Sequence, residues 1–148
     1  MPLISGEIVI DRRVEEVFDF VSDECNEPRY NSEMTLAEQV SDGPIGLGSR
    51  FRAVVRSGGR PVPMEIEFTV FERPYRLGSR ATMSGMVTDG ELTFERVGES
   101  TLTRWSWDVQ PEGALRLLGP LVAWIGLRQE RRVWSGLKSC MEAGPRPS

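Results

Sequence analysis

The order in which hydrophobic periodicities follow one another constrains this chain more than any single motif. A strand-like opening and a short acidic helix come first, and a long run of alternating, turn-punctuated segments follows. One long apolar-rich helix closes the chain. Short turns between successive strands favour an antiparallel meander. A helix arriving last is free to lie across the curved face of that sheet, and the space between the two can hold a ligand.

Residues 3–10 place Ile4, Ile8, Val9 and Ile10 around Gly6 and Glu7, a short β-branched run that reads as a strand. Val14, Val17, Phe18 and Val21 then fall at i, i+3, i+4 and i+7, one apolar stripe on an α-helix. Glu15 and Glu16 suit the start of its dipole, whereas Arg12 and Arg13 oppose it. Residues 24–33 suggest a second short helix shaped by Pro28, and residues 34–40 a strand.

A loop rich in turn residues, Ser41 to Gly48, leads into residues 49–57. There Phe51, Ala53 and Val55 face one way, and Arg50, Arg52 and Arg56 the other. Met64, Ile66, Phe68 and Val70 alternate with Glu65, Glu67 and Thr69, the clearest half-buried strand in the chain. Arg73-Pro74 marks a turn, and residues 75–83 and 86–97 read as two more strands. Asp89-Gly90 inside the second is either a bulge or a misplaced turn. Thr103, Trp105, Trp107 and Val109 share a face of the last strand, 101–110. Pro120 suits the first turn of the closing helix, which runs to about Met141. The organisation expected is one domain with its core at about residues 3–142 and a frayed tail over 143–148.

What the chain lacks narrows its chemistry. It has no histidine, which removes Ser-His-Asp and Cys-His catalysis and histidine metal sites. Cys25 and Cys140 lie far apart, so neither a metal site nor redox chemistry is expected, and no cofactor. A net charge of -4 and a pI near 5.0 argue against a nucleic-acid partner. Lys138 is the only lysine among 18 basic residues, an arginine bias that a GC-rich genome explains as well as function does. The N-terminus does not read as a signal peptide. The apolar stretch Leu117 to Leu127 is too short for a stable membrane span. A cytoplasmic protein, monomer or homodimer, is the expectation.

On the closing helix Ala123, Gly126, Leu127, Val133, Trp134, Leu137 and Met141 fall on one broad face, with Arg128, Arg131 and Arg132 opposite. Glu130 sits inside the apolar stripe, where a carboxylate needs a partner or a raised pKa. Pairing with a nearby arginine and a role facing a cavity both remain open for it. Phe51, Met64, Phe68, Met83, Phe94, Trp105 and Trp107 are large side chains on inward strand faces. With Tyr30, Leu127, Glu130 and Trp134 they are the candidate walls of a cavity. Other constellations are weaker. Gly43-x-x-Gly46-x-Gly48 is not at a strand-to-helix turn and reads as an ordinary loop at the cavity mouth. Asp19 and Asp23 read as a solvated face, and strand parity turns Arg52 and Arg104 outward.

The run Ile8-Val-Ile-Asp-Arg-Arg-Val14-Glu-Glu-Val17-Phe18-Asp-Phe-Val21-Ser-Asp23 resembles the opening strand and helix of START-like (SRPBCC) proteins, most of all their polyketide cyclase/dehydrase branch. Asn26-Glu-Pro28-Arg-Tyr30 resembles that branch's second helix, and Ser41 to Phe51 its glycine loop. Glu130-x-x-x-Trp134-x-x-Leu137-Lys138-x-x-Met141-Glu142 resembles its terminal helix. The resemblance implies an α+β helix-grip fold: a curved seven-stranded antiparallel sheet around a long C-terminal helix, with two short helices after the first strand. It also implies an apolar small-molecule ligand, lipid or polyketide-like, in the cavity between sheet and helix; by the residue pattern itself, apolar burial holds that ligand and Glu130 and Tyr30 orient it. The alternative it implies is a cyclase or dehydratase using Glu130 as general acid or base, although the histidine some cyclases use is missing. A third reading has residues 117–127 meet a partner chain or a membrane surface.

Overall fold

The computed structural model describes residues 3–57, 59–83, 86–111 and 119–143, with side chains for all of these except residues 3, 57 and 119–127. The elements in order are β1 (Leu3–Ile10), α1 (Val14–Ser22), a 3-10 helix (Glu24–Arg29), β2 (Met34–Gln39), β3 (Arg50–Ser57), β4 (Arg60–Glu72), β5 (Arg76–Met83), β6 (Met86–Val97), β7 (Ser100–Pro111) and α2 (Gly119–Glu142). The strands form one seven-stranded sheet in the order β1-β7-β6-β5-β4-β3-β2, antiparallel throughout. Strands β2 to β7 are therefore a meander, and β1 closes its far edge against β7.

The apolar stripe of α1 does what its spacing dictates. Val14, Val17, Phe18 and Val21 are all buried. The Phe18 ring meets Phe71 and Phe94 edge-on at centroid distances of 5.2 and 5.5 Å. Phe71 reaches this cluster because of a register shift between Phe68 and Val70. Strict alternation places Val70 on the inward face. The bulge passes the inward position to Phe71 instead.

Asp89-Gly90 is neither a bulge nor a turn, because β6 pairs without a register break on both sides. Gly90 lies opposite Trp107, and a Cβ there would collide with the Ser106 carbonyl oxygen and the Trp107 ring. The glycine is there for close approach of the neighbouring strand's indole.

On the described part of α2, Trp134 and Leu137 are buried, Val133 and Met141 half-buried, and Arg128, Arg131 and Arg132 exposed. The side chains of Ala123, Gly126 and Leu127 lie outside the described residues, as do residues 112–118 and the tail 144–148. Lys138 Nζ donates to the Val9 carbonyl at 2.8 Å, and Glu142 Oε2 accepts from Asp11 N at 2.7 Å, which ties the helix end to β1. Gly136 touches the 3-10 helix: a Cβ there would strike the Tyr30 carbonyl oxygen. The outer sheet face carries exposed ion pairs, among them Arg104–Glu7, Arg52–Glu38 and Arg80–Asp89. Exposed pairs of this kind contribute little, because water and salt screen both charges, and Arg52 and Arg104 point away from the interior as their parity requires.

An acidic cavity beneath the closing helix

Two adjoining chambers lie under α2, at the end of the sheet that α1 does not fill. The inner one has a volume of about 60 Å³ and is walled by Val21, Phe68, Leu77, Leu92, Trp107 and Trp134, among others. The outer one, about 270 Å³, is walled by Met34, Val55, Met64, Met83, Met86 and Gln129 with polar neighbours. Glu27, Tyr30, Glu130 and Val133 line both. Together the chambers sit near the lower end of the roughly 300–1,000 Å³ typical of small-molecule sites. A wider groove of about 450 Å³ over β1, β6 and β7 is shallow and lies along the Glu7–Arg104 ion pair on the outer sheet face.

Glu130 stands where the chambers meet. Its Oε2 accepts Trp134 Nε1 at 2.6 Å, one helical turn along α2, and Trp107 Nε1 at 3.1 Å from β7. No arginine partner of Glu130 occurs among the described residues. The stripe that carries Glu130 faces the sheet, and the α2 arginines are exposed, with Arg132 at the wall of the outer chamber. Burial raises the Glu130 carboxyl to about 7, although both indole bonds pull it down; the Glu27 carboxylate pushes it further up. The Trp134 ring is itself held by stacking on Trp105 at 5.1 Å, nearly parallel.

The 3-10 helix supplies the other polar wall. A 3-10 helix has about three residues per turn, so positions three apart share a face. Glu24, Glu27 and Tyr30 are so spaced, and all three line the inner chamber. Glu27 Oε1 accepts Asn31 Nδ2 at 3.1 Å. Glu24 Oε2 is buried without a hydrogen-bond partner among the described residues. Burial holds the Glu24 carboxyl well above its usual range, with Glu27 adding charge repulsion and a hydrogen bond to the protonated form. Burial likewise raises the Tyr30 phenol, with Glu27, Glu24 and Glu130 adding to the effect.

Of the candidate wall residues, Tyr30, Met64, Phe68, Met83, Trp107, Glu130 and Trp134 line a chamber. Phe51, Phe94 and Trp105 do not. Phe51 packs on Phe68, Phe94 on Phe18 and Trp105 on Trp134, so these rings fill the interior. Leu127 lies outside the described side chains. Sequence reasoning missed Glu24 and Glu27, whose spacing of three was the available signal. The 41–48 loop supplies no wall of either chamber. Asp19 is bound to Arg73 at 2.7 Å, Asp23 Oδ1 accepts Cys25 N at 3.1 Å, and both cysteines are free. No metal-binding cluster and no helix long and apolar enough to cross a membrane occur among the described residues.

A curled antiparallel sheet closed by a terminal helix over a cavity defines the START-like, helix-grip class. The chain belongs to the family described as polyketide cyclase/dehydrase and lipid transport, whose model matches residues 1–142. It is similar in structure to a START superfamily protein from Mycobacterium smegmatis, at TM-score 0.84 and 17% identity over 95% of this chain and 97% of that one. A protein of Thermus thermophilus gives TM-score 0.82 at 20% identity, over 96% and 98% of the two chains. The di-domain ARO/CYC protein BexL of the BE-7585A biosynthetic pathway gives 0.80 at 17% identity, over 98% of this chain and 48% of that one. No curated protein matches the sequence significantly.

Proposed function

We propose that this protein binds an apolar small molecule, lipid or polyketide-like, in the two chambers beneath α2. The observation that carries the reading is a cavity whose outer part has four methionine side chains on its walls, Met34, Met64, Met83 and Met86, and whose inner part ends on buried polar groups. Methionine walls adapt to irregular apolar shapes, and a few convergent polar groups set orientation. Membership of a family described by polyketide cyclisation, dehydration and lipid transport supports the same ligand class. Glu130, Tyr30 and Trp107 orient the ligand, and Phe68, Val133 and Trp134 enclose it. Titration of the intact chain with Nile red, followed by displacement with a panel of apolar compounds, tests the reading. Saturable, displaceable binding is expected. Absence of any displaceable ligand across the panel, together with native mass spectra of the bare chain, overturns it.

A second reading is favoured by one observation: a cavity-facing carboxyl held near 7 suits a general acid or base at neutral pH. In it Glu130 moves a proton to or from a polyketide-like substrate in a cyclisation or dehydration. Glu130→Gln then abolishes turnover while ligand affinity is retained. Unchanged turnover removes Glu130 from the chemistry.

A further inference from the structure

The inner chamber holds more acid than an apolar ligand needs. Glu24 and Glu27 reach it from the 3-10 helix and Glu130 from α2, and the Tyr30 phenol feels the charge of all three. No described residue lining the inner chamber is basic. Both indole N–H groups on its wall that bond to Glu130 converge on one oxygen, Oε2. Glu24 Oε2, buried on the same wall, has no donor among the described residues beyond a proton that Glu24 and Glu27 share. An orphaned carboxyl oxygen inside a protein is unfavourable unless something brings a donor to it.

We infer that the ligand enters with a protonated amine foremost, so that its ammonium lies among Glu24, Glu27 and Glu130 and its apolar body fills the outer chamber. The inference rests on the small-molecule reading above and names the head group that reading leaves open. An ammonium carries three donors, one positive charge and no acceptor. It brings Glu24 Oε2 a donor from outside the carboxyl pair and offsets the repulsion between the Glu24 and Glu27 carboxyls. A fatty acid entering the same way adds a fourth carboxyl to three and meets no described cation in the inner chamber. An alcohol brings a donor without charge. The small inner volume, about 60 Å³, suits a primary amine on a methylene better than a branched head. Arg56 and Arg132 line only the outer chamber, where the apolar body passes.

Three probes with one tail separate the heads: decylamine, decanol and decanoate, each below its aggregation threshold, displacing Nile red from the intact chain at neutral pH and physiological salt. Decylamine is expected to displace at about a tenfold lower concentration than decanoate, the change one charge-assisted hydrogen bond produces. Decanol is expected between them. Glu24→Gln should bring decylamine and decanol to near equality. Glu27→Gln gives the same comparison if the first variant does not fold. Decanoate binding as well as decylamine, decanol matching decylamine in the unmodified chain, or an amine preference that survives both substitutions overturns the ammonium while the cavity reading stands. Failure of all three probes and of Nile red itself overturns both.

Discussion

Replacing Glu130 by glutamine isolates the cost of holding a carboxylate between two indoles. Burial raises the Glu130 carboxyl from the usual 4.5 to about 7. Between those values the folded chain keeps a proton that the unfolded chain has released. The folded form therefore binds more protons, and stability falls as pH rises through that window. Below 4.5 the penalty is absent, and above about 7 it is complete. At about 1.36 kcal/mol per pH unit, the difference is worth about 3 kcal/mol. Glutamine keeps an acceptor oxygen for both Trp107 and Trp134 and removes the ionisation. Urea unfolding followed by tryptophan fluorescence, from about pH 5 to about pH 8, measures the effect. Glu130→Gln should gain on the unmodified protein by about 3 kcal/mol across the window. Glu24 also titrates upward of its usual range, but it does so in both proteins, so the difference belongs to Glu130. Two parallel stability profiles over that range would refute the reasoning.

Three further substitutions read the supports of the site. Gly136→Ala gains up to about 1 kcal/mol of helix propensity, yet its methyl strikes the Tyr30 carbonyl oxygen. A net loss of about 1–3 kcal/mol by thermal or urea unfolding is expected. Gly90→Ala puts a methyl where the Ser106 carbonyl and the Trp107 ring already are. It should cost a similar 1–3 kcal/mol, roughly, and shift the Trp107 indole N–H resonance as its bond to Glu130 is lost. Trp134→Phe removes the shorter of the two donors to Glu130. Carboxyl-carbon NMR should then show the Glu130 midpoint moving up from about 7, and a midpoint that falls or stays would contradict the hydrogen bond's part in it.

The fold is legible because each strand carries its own alternation and each turn its own Gly, Pro or Asp. Strand β1 and helix α1 follow from spacing alone. Where local pattern misleads, the cause lies across the sheet. The Met64-to-Val70 alternation continues smoothly through the bulge, since a bulge is a backbone event. What reveals it is Phe71 finding Phe18, 53 positions away in sequence but 5.2 Å away in space. Asp89-Gly90 looks like a turn because those residue types make turns. Its reason is the bulk of Trp107 on the neighbouring strand, which no local window contains.

The site is half legible, and the half that sequence reasoning misses depends on a helix period. Glu130 stands out because a carboxylate interrupts an apolar stripe. Its described partner across the cavity is an indole and not an arginine, because the facing residue, Trp107, comes from a strand. Residues 24–33 suggest a short helix, and an α-helix turns about 100° per residue, which scatters positions 24, 27 and 30 over about 120°. The segment folds with three residues per turn, and the same three positions align. That one change of period converts two ordinary surface glutamates and a tyrosine into the polar end of a cavity. The aromatic residues divide for a related reason. Helix α1 presses Phe18 into one end of the sheet, and Phe71 and Phe94 close around it. The shorter, polar 3-10 helix has no such ring to insert, so the other end stays open beside Phe68, Trp107 and Glu130.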